Sequence, residues 1–95
     1  MAETAMVMVF CYDVESDRRR RRVSALLEEW GVRVQKSVFE ARLTDRQARA
    51  LMARAAKELG PRDTLRMYAL SAHGLARSAS VGGAPLPEQR DFWVL

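Results

Sequence analysis

Met6 to Val14 reads Met-Val-Met-Val-Phe-Cys-Tyr-Asp-Val, and its only charge, Asp13, stands near the C-terminal end. A run of this length, rich in Val, Phe and Tyr and bounded by Glu15-Ser16-Asp17, predicts a strand. Alternation puts Val7, Val9, Cys11 and Asp13 on one face and Met6, Met8, Phe10, Tyr12 and Val14 on the other. Both faces are apolar, so both need cover. Helices can cover one, and a chain of 95 residues has little left for the second. The strand therefore predicts a homodimer packed through its sheets, with a carboxylate close to the interface.

A chain of this length is one domain, residues 1–95, with a core over about 6–70 and a linker and closing strand over about 71–95. Hydrophobic residues at 48% and charged residues at 29% describe a chain that folds rather than a disordered one. Sixteen Lys and Arg against twelve Asp and Glu leave a net charge of +4, which favours a polyanionic partner. The single cysteine, Cys11, excludes an intrachain disulfide and is expected to be a small core residue in a reducing compartment. The start does not resemble a secretory signal, and no apolar stretch approaches the ~20 residues that span a bilayer. No membrane association and a cytoplasmic location are expected.

Ser16 or Asp17 can cap a first helix, with Val23, Leu26, Leu27 and Trp30 on its apolar stripe and Gly31 closing it. Five arginines, Arg18 to Arg22, fill its first turns. Helical spacing turns Arg18, Arg21 and Arg22 outward, whereas Arg19 and Arg20 flank the stripe and must lay their stems along the sheet. Cations at the positive end of a helix dipole oppose helix stability. The run also begins a few residues after Asp13, which together point to an anion site; a solvated basic face is the plainer alternative.

Val32 to Leu43 predicts two short strands with a turn near Lys36 and Ser37. Thr44-Asp45-Arg46-Gln47 matches a capping box, and Ala48, Leu51, Met52, Ala55 and Leu59 form the buried stripe of a second helix. Gly60-Pro61 should end it as a left-handed cap and a breaker. Thr64 to Leu70 alternates as another strand. The order strand, helix, strand, strand, helix, strand is the ferredoxin-like, split βαβ arrangement of an α+β fold. Ser71 to Ser80 reads as a short helix or a polar loop and 82–87 as a linker. The apolar tail Phe92, Trp93, Val94 and Leu95 is expected to form an extra C-terminal strand on a sheet edge, another chain's included.

Tyr12-Asp13-Val14, Asp17 with the arginine-rich helix into Val23, and Gly31-Val32-Arg33-Val34-Gln35-Lys36-Ser37-Val38-Phe39-Glu40 strongly resemble the CRISPR-associated protein 2 family. The resemblance covers about Met6 to Leu70, and the tail ending Asp91 to Leu95 resembles the family's closing strand. It implies a homodimeric ferredoxin-like subunit of the spacer-acquisition machinery. Family members are described as magnesium-dependent endonucleases on RNA or duplex DNA and as a bridge between integrase dimers. The resemblance puts the catalytic and metal-binding carboxylate at Asp13, with Tyr12 beside it. Basic contacts fall at Arg20, Arg22 and Arg33, supporting positions at Ser37 and Phe39, and partner docking at Phe92 to Leu95. The extension Met1 to Ala5 departs from the usual family start.

One Asp per chain is too few for a tight Mg²⁺ site, but two Asp13 across a dimer axis could share one ion that keeps several waters and takes a phosphate oxygen. The plainer role for Asp13 is capping or pairing with Arg20. His73, alone and without ligand spacing, reads as an ordinary loop residue, and Trp30 and Trp93 read as packing rather than base-stacking groups. Three functions remain open: a metal-dependent nuclease on duplex DNA or single-stranded RNA, a purely structural DNA-binding adaptor that bridges integrase dimers, and a toxin-like messenger-RNA interferase.

Overall fold

The structure, a computed structural model, describes residues 4–87. The strands are β1 (Met6–Asp13), β2 (Val32–Gln35), β3 (Val38–Leu43) and β4 (Thr64–Leu70); the helices are α1 (Asp17–Glu28), α2 (Asp45–Ala56) and α3 (Ala72–Ala76). The four strands form one sheet in the order β2-β3-β1-β4, with β1 antiparallel to both β3 and β4. This is the expected βαββαβ arrangement. The expected C-terminal strand, with Phe92, Trp93, Val94 and Leu95, lies outside the described residues.

Alternation along β1 sorts the layers. Met8, Phe10 and Tyr12 are buried with Val23 and Leu27 of α1 and Ala48 and Leu51 of α2 in one core cluster, joined by Phe39, Ala41 and Leu43 of β3. The other face is covered only in part. Val7 is buried, outside that cluster, as is Leu75 of α3. Val9 and Cys11 are half-buried beside Val38, Glu40, Arg66 and Tyr68, their cross-strand neighbours. Cys11 is therefore not a core residue of the protomer, because it points to the face away from α1 and α2. On that face burial pushes the pKa of Glu40 up from its ordinary value.

The helix signals work as expected at their starts. Ser16, not Asp17, caps α1, its Oγ accepting from Arg19 N at 3.3 Å. Thr44 and Gln47 complete the reciprocal capping box at α2, at 2.9 and 3.2 Å. The helix ends differ. Helix α2 stops before Gly60, which has no left-handed backbone; among the described residues only Gly82 and Gly83 do. Leu59 lies beyond α2 yet still packs on the core. Helix α1 stops at Glu28, so Trp30 leaves the apolar stripe and is 43% exposed rather than packed inside. His73 lies exposed within α3 instead of in a loop.

Candidate nucleic-acid and metal site

Asp13 is the last residue of β1, opposite Thr64 of β4, and it is exposed. The β2–β3 turn falls at Lys36 and Ser37, as the spacing predicts, and two hydrogen bonds tie it to the end of β1. Tyr12 N donates to Ser37 O at 3.1 Å, and Tyr12 Oη donates to Lys36 O at 3.3 Å. Asp13, Val14, Arg20, Lys36 and Ser37, with Tyr12 at the base, line a cavity of about 230 Å³. The strand end, the first turns of α1 and the turn thus meet at one place.

The arginine run divides by helical position. Arg18, Arg21 and Arg22 are exposed and Arg19 and Arg20 are half-buried, as their spacing from the apolar stripe requires. Arg20 reaches the Asp13 cavity and donates to Val14 O at 2.8 Å and to Asp17. Arg19 turns the other way. Its Nε donates to Asp63 Oδ2 at 2.8 Å, and Asp63 also accepts from Gly60 N at 2.6 Å and Glu15 N at 3.1 Å. The hydrogen bonds from Gly60, Arg19 and Glu15 lower the Asp63 pKa to about 2 against the opposing effect of desolvation. This carboxylate, from the α2–β4 loop, pins both the segment after Asp13 and the first turn of α1. Gly60 leaves the room: a Cβ there would stand 2.7 Å from the Arg19 guanidinium. Sequence reasoning missed Asp63; its only local sign was an acidic residue between Pro61 and a strand start.

The remaining expected contacts separate. Arg33 donates to Glu28 Oε1 at 3.1 Å and to Ser24 Oγ, with its guanidinium 5.2 Å from the Phe39 ring centre. Phe39 is fully buried and stacked on Tyr12, with ring centres 6.1 Å apart. Phe39 and Tyr12 therefore support the site from the core and offer almost no surface to a ligand. Arg22 does not join the Asp13 cavity. It faces α2, 3.5 Å from Glu58, in a groove that also holds Arg54 and Lys57. Four residues from Arg18 along the helix, it turns to the α2 side, whereas Arg20 turns to the sheet end.

Among the described residues no three His, Cys, Asp or Glu side chains come close enough together to hold a metal. Of the acidic groups near Asp13, Asp17 is paired with Arg20, and Glu15 stands 3.5 Å from Arg62. Among the described residues, one protomer thus supplies this cavity with a single uncommitted carboxylate, Asp13. Oxygen donors suit Mg²⁺, which accepts one or two carboxylates with waters and phosphate oxygens, so the donor chemistry fits once a second copy adds its own Asp13. No helix among the described residues is long and apolar enough to cross a membrane.

A four-stranded α+β fold with α1 and α2 on one face, and a cavity of basic groups around one carboxylate at the end of β1, define a small ferredoxin-like protein. The profile of the family described as CRISPR associated protein Cas2 matches residues 6–77, and the chain belongs to that family. It is 42% identical over 79 residues to a CRISPR-associated endoribonuclease Cas2 of Synechocystis, covering 82% of this chain and 86% of the relative. The crystal structure of Streptococcus pyogenes Cas2 superposes with a TM-score of 0.70 at 29% identity, covering 81% of this chain and all of that one. A chain of a partial Cas6-RT-Cas1–Cas2 complex matches with a TM-score of 0.73 at 30% identity, over 87% of this chain and 92% of that one.

Proposed function

We propose that this chain acts in CRISPR spacer acquisition as a homodimer that binds a nucleic-acid backbone beside Asp13, bridges integrase dimers and carries a magnesium-dependent endonuclease activity. The observation that carries this reading is Asp13 itself, an exposed carboxylate at the rim of a cavity shared with Arg20 and Lys36. Dimerisation through the face away from α1 and α2 leaves Val9, Cys11, Val38 and Tyr68 covered. Asp13 ends the interior strand β1 on that same face, so pairing two sheets there would bring two Asp13 towards the axis. When bound there, Mg²⁺ supplies Lewis-acid stabilisation of charge on a phosphate. Arg20 and Lys36 add positive charge at the same cavity, and the Tyr12–Lys36 and Tyr12–Ser37 hydrogen bonds keep the turn in place. The name of the Synechocystis relative supports nuclease activity, and the complex containing Cas1 and Cas2 chains supports the integrase partner.

A second reading, a scaffold without turnover, has its own support: the protomer gathers no metal-holding group among its described residues. In that case the basic cavity positions a phosphate backbone without cutting it. Cleavage of end-labelled duplex DNA and single-stranded RNA by wild type and Asp13→Asn, with Mg²⁺ or EDTA, separates the two. Metal-dependent cutting lost by at least about 100-fold in the variant supports the nuclease. Equal binding without cutting in both proteins establishes the scaffold, and cutting that survives Asp13→Asn overturns the Asp13 site.

A further inference from the structure

A second, smaller cavity of about 120 Å³ adjoins the Asp13 cavity and shares Tyr12, Arg20 and Lys36 with it; Arg21, Ser24 and Arg33 complete its wall. We propose that this cavity is a metal-independent phosphate subsite, in which Arg21 and Lys36 hold the phosphodiester next to the one that lies at Asp13. The inference deepens the nucleic-acid reading above and rests on it.

Four of the six wall residues are cations and none is a carboxylate. Two of the four are already satisfied. Arg20 is bonded to Val14 O and Asp17, and Arg33 to Ser24 and Glu28. Arg21 and Lys36 are different: both are exposed, and neither side chain has a hydrogen bond or ion pair among the described residues. Positive charges from two separate segments, the helix and the turn, converge on one concavity without an internal counter-ion. An oxyanion relieves that repulsion and accepts the free donors. The size suits a phosphate group, and the bonded Ser24 and Tyr12 give no pattern that reads a base edge, so recognition is of backbone rather than sequence.

The two cavities also differ in what they require. Asp13 in the larger one opposes the attraction of Arg20 and Lys36 for a phosphate, whereas the smaller one has no carboxylate to neutralise. Lys36 is delivered by a turn that Tyr12 pins through two hydrogen bonds, so its backbone position is fixed while its flexible stem follows the ligand. The smaller subsite therefore keeps its affinity in a chelator, when the Asp13 cavity is weakened.

The test is fluorescence anisotropy with a labelled DNA duplex and a labelled single-stranded RNA, in EDTA, across a range of NaCl. The proteins are wild type, Arg21→Ala, Lys36→Ala, the double variant, Lys36→Arg, and a control with Arg54→Ala and Lys57→Ala in the α1–α2 groove. Thermal melts confirm that each is folded. The expected result is binding by wild type whose logarithmic salt slope falls by about one unit for each contact removed, with Lys36→Arg close to wild type and the control unchanged. An unchanged slope in the folded double variant, or an equal loss in the control, overturns the subsite and leaves nucleic-acid binding standing. No binding by wild type to either probe in EDTA overturns the subsite alone, and no binding in Mg²⁺ as well overturns the nucleic-acid reading with it.

Discussion

Arg19 Nε and Asp63 Oδ2 lie 2.8 Å apart, and the Asp63 carboxylate is sealed from solvent while the arginine side chain is only partly covered. The pair joins residues 44 positions apart and removes one arginine of the run from any ligand. Asp63→Ala leaves Gly60 N, Glu15 N and Arg19 without their acceptor, and should lower the melting temperature by more than about 5 °C. Because the folded pKa is about 2, below the ordinary value of 3.8, the stabilisation is fully present above pH 4 and is lost as pH falls from 4 towards 2. Melting curves of wild type and variant should converge over that window. Parallel curves would remove Asp63 from the acid response.

Phe39 belongs to the core and not to the ligand surface. Phe39→Ala should cost ~3–5 kcal/mol and take the platform from under Arg33. Phe39→Leu should keep both fold and nucleic-acid affinity. Urea unfolding and anisotropy on the two variants decide the matter, since a folded Leu variant that fails to bind would make the ring itself a contact.

Gly31 is required by a close approach. A Cβ there would stand 2.4 Å from Glu40 O and 2.8 Å from the Ala41 Cβ, both on β3, which cannot give way without opening the β2–β3 pairing. Gly31→Ala should therefore destabilise by about 2 kcal/mol or more. Gly74→Ala, whose added carbon meets only Ser71 Oγ at 3.4 Å, serves as the comparison and should change stability by less than about 1 kcal/mol. Calorimetry on both measures the difference.

If the face away from α1 and α2 is the dimer interface, a charge at Val9 breaks it. Val9 is half-buried between Glu40 and Tyr68 on the neighbouring strands, and Val9→Glu would place a second carboxylate beside Glu40. Light scattering after gel filtration should show a dimer for wild type and a monomer for the variant. Glu40→Gln should act oppositely: its carboxyl pKa is already raised by burial, so removing the charge favours the packed state as pH rises above the ordinary value of 4.5.

Much of the fold is legible along the chain because it depends on local periodicity. The alternation in Met6 to Val14, the stripe Val23 and Leu27, the capping box at Thr44 and the turn at Lys36 and Ser37 all stand where spacing puts them. Local endings are less legible. Trp30 continues the helical spacing on paper, yet α1 stops at Glu28, because Gly31 brings the next strand hard against β3. Gly60 looked like a left-handed cap and instead makes room for Arg19.

The sequence by itself determined the layers, the strand and helix order, and the placing of one carboxylate and five arginines near the same end of the sheet. It determined this through side-chain alternation and helical period, which are properties of neighbouring residues. Only the tertiary structure decided what each charged group does. Arg19 goes to Asp63, Arg20 to the Asp13 cavity and Arg22 to the α2 groove, while Lys36 joins Arg21. Apart from the bonds of Arg20 to nearby Val14 and Asp17, those partners come from segments far away in the chain, brought together when the helices cover the sheet, and no local pattern encodes a charge's partner across such a distance.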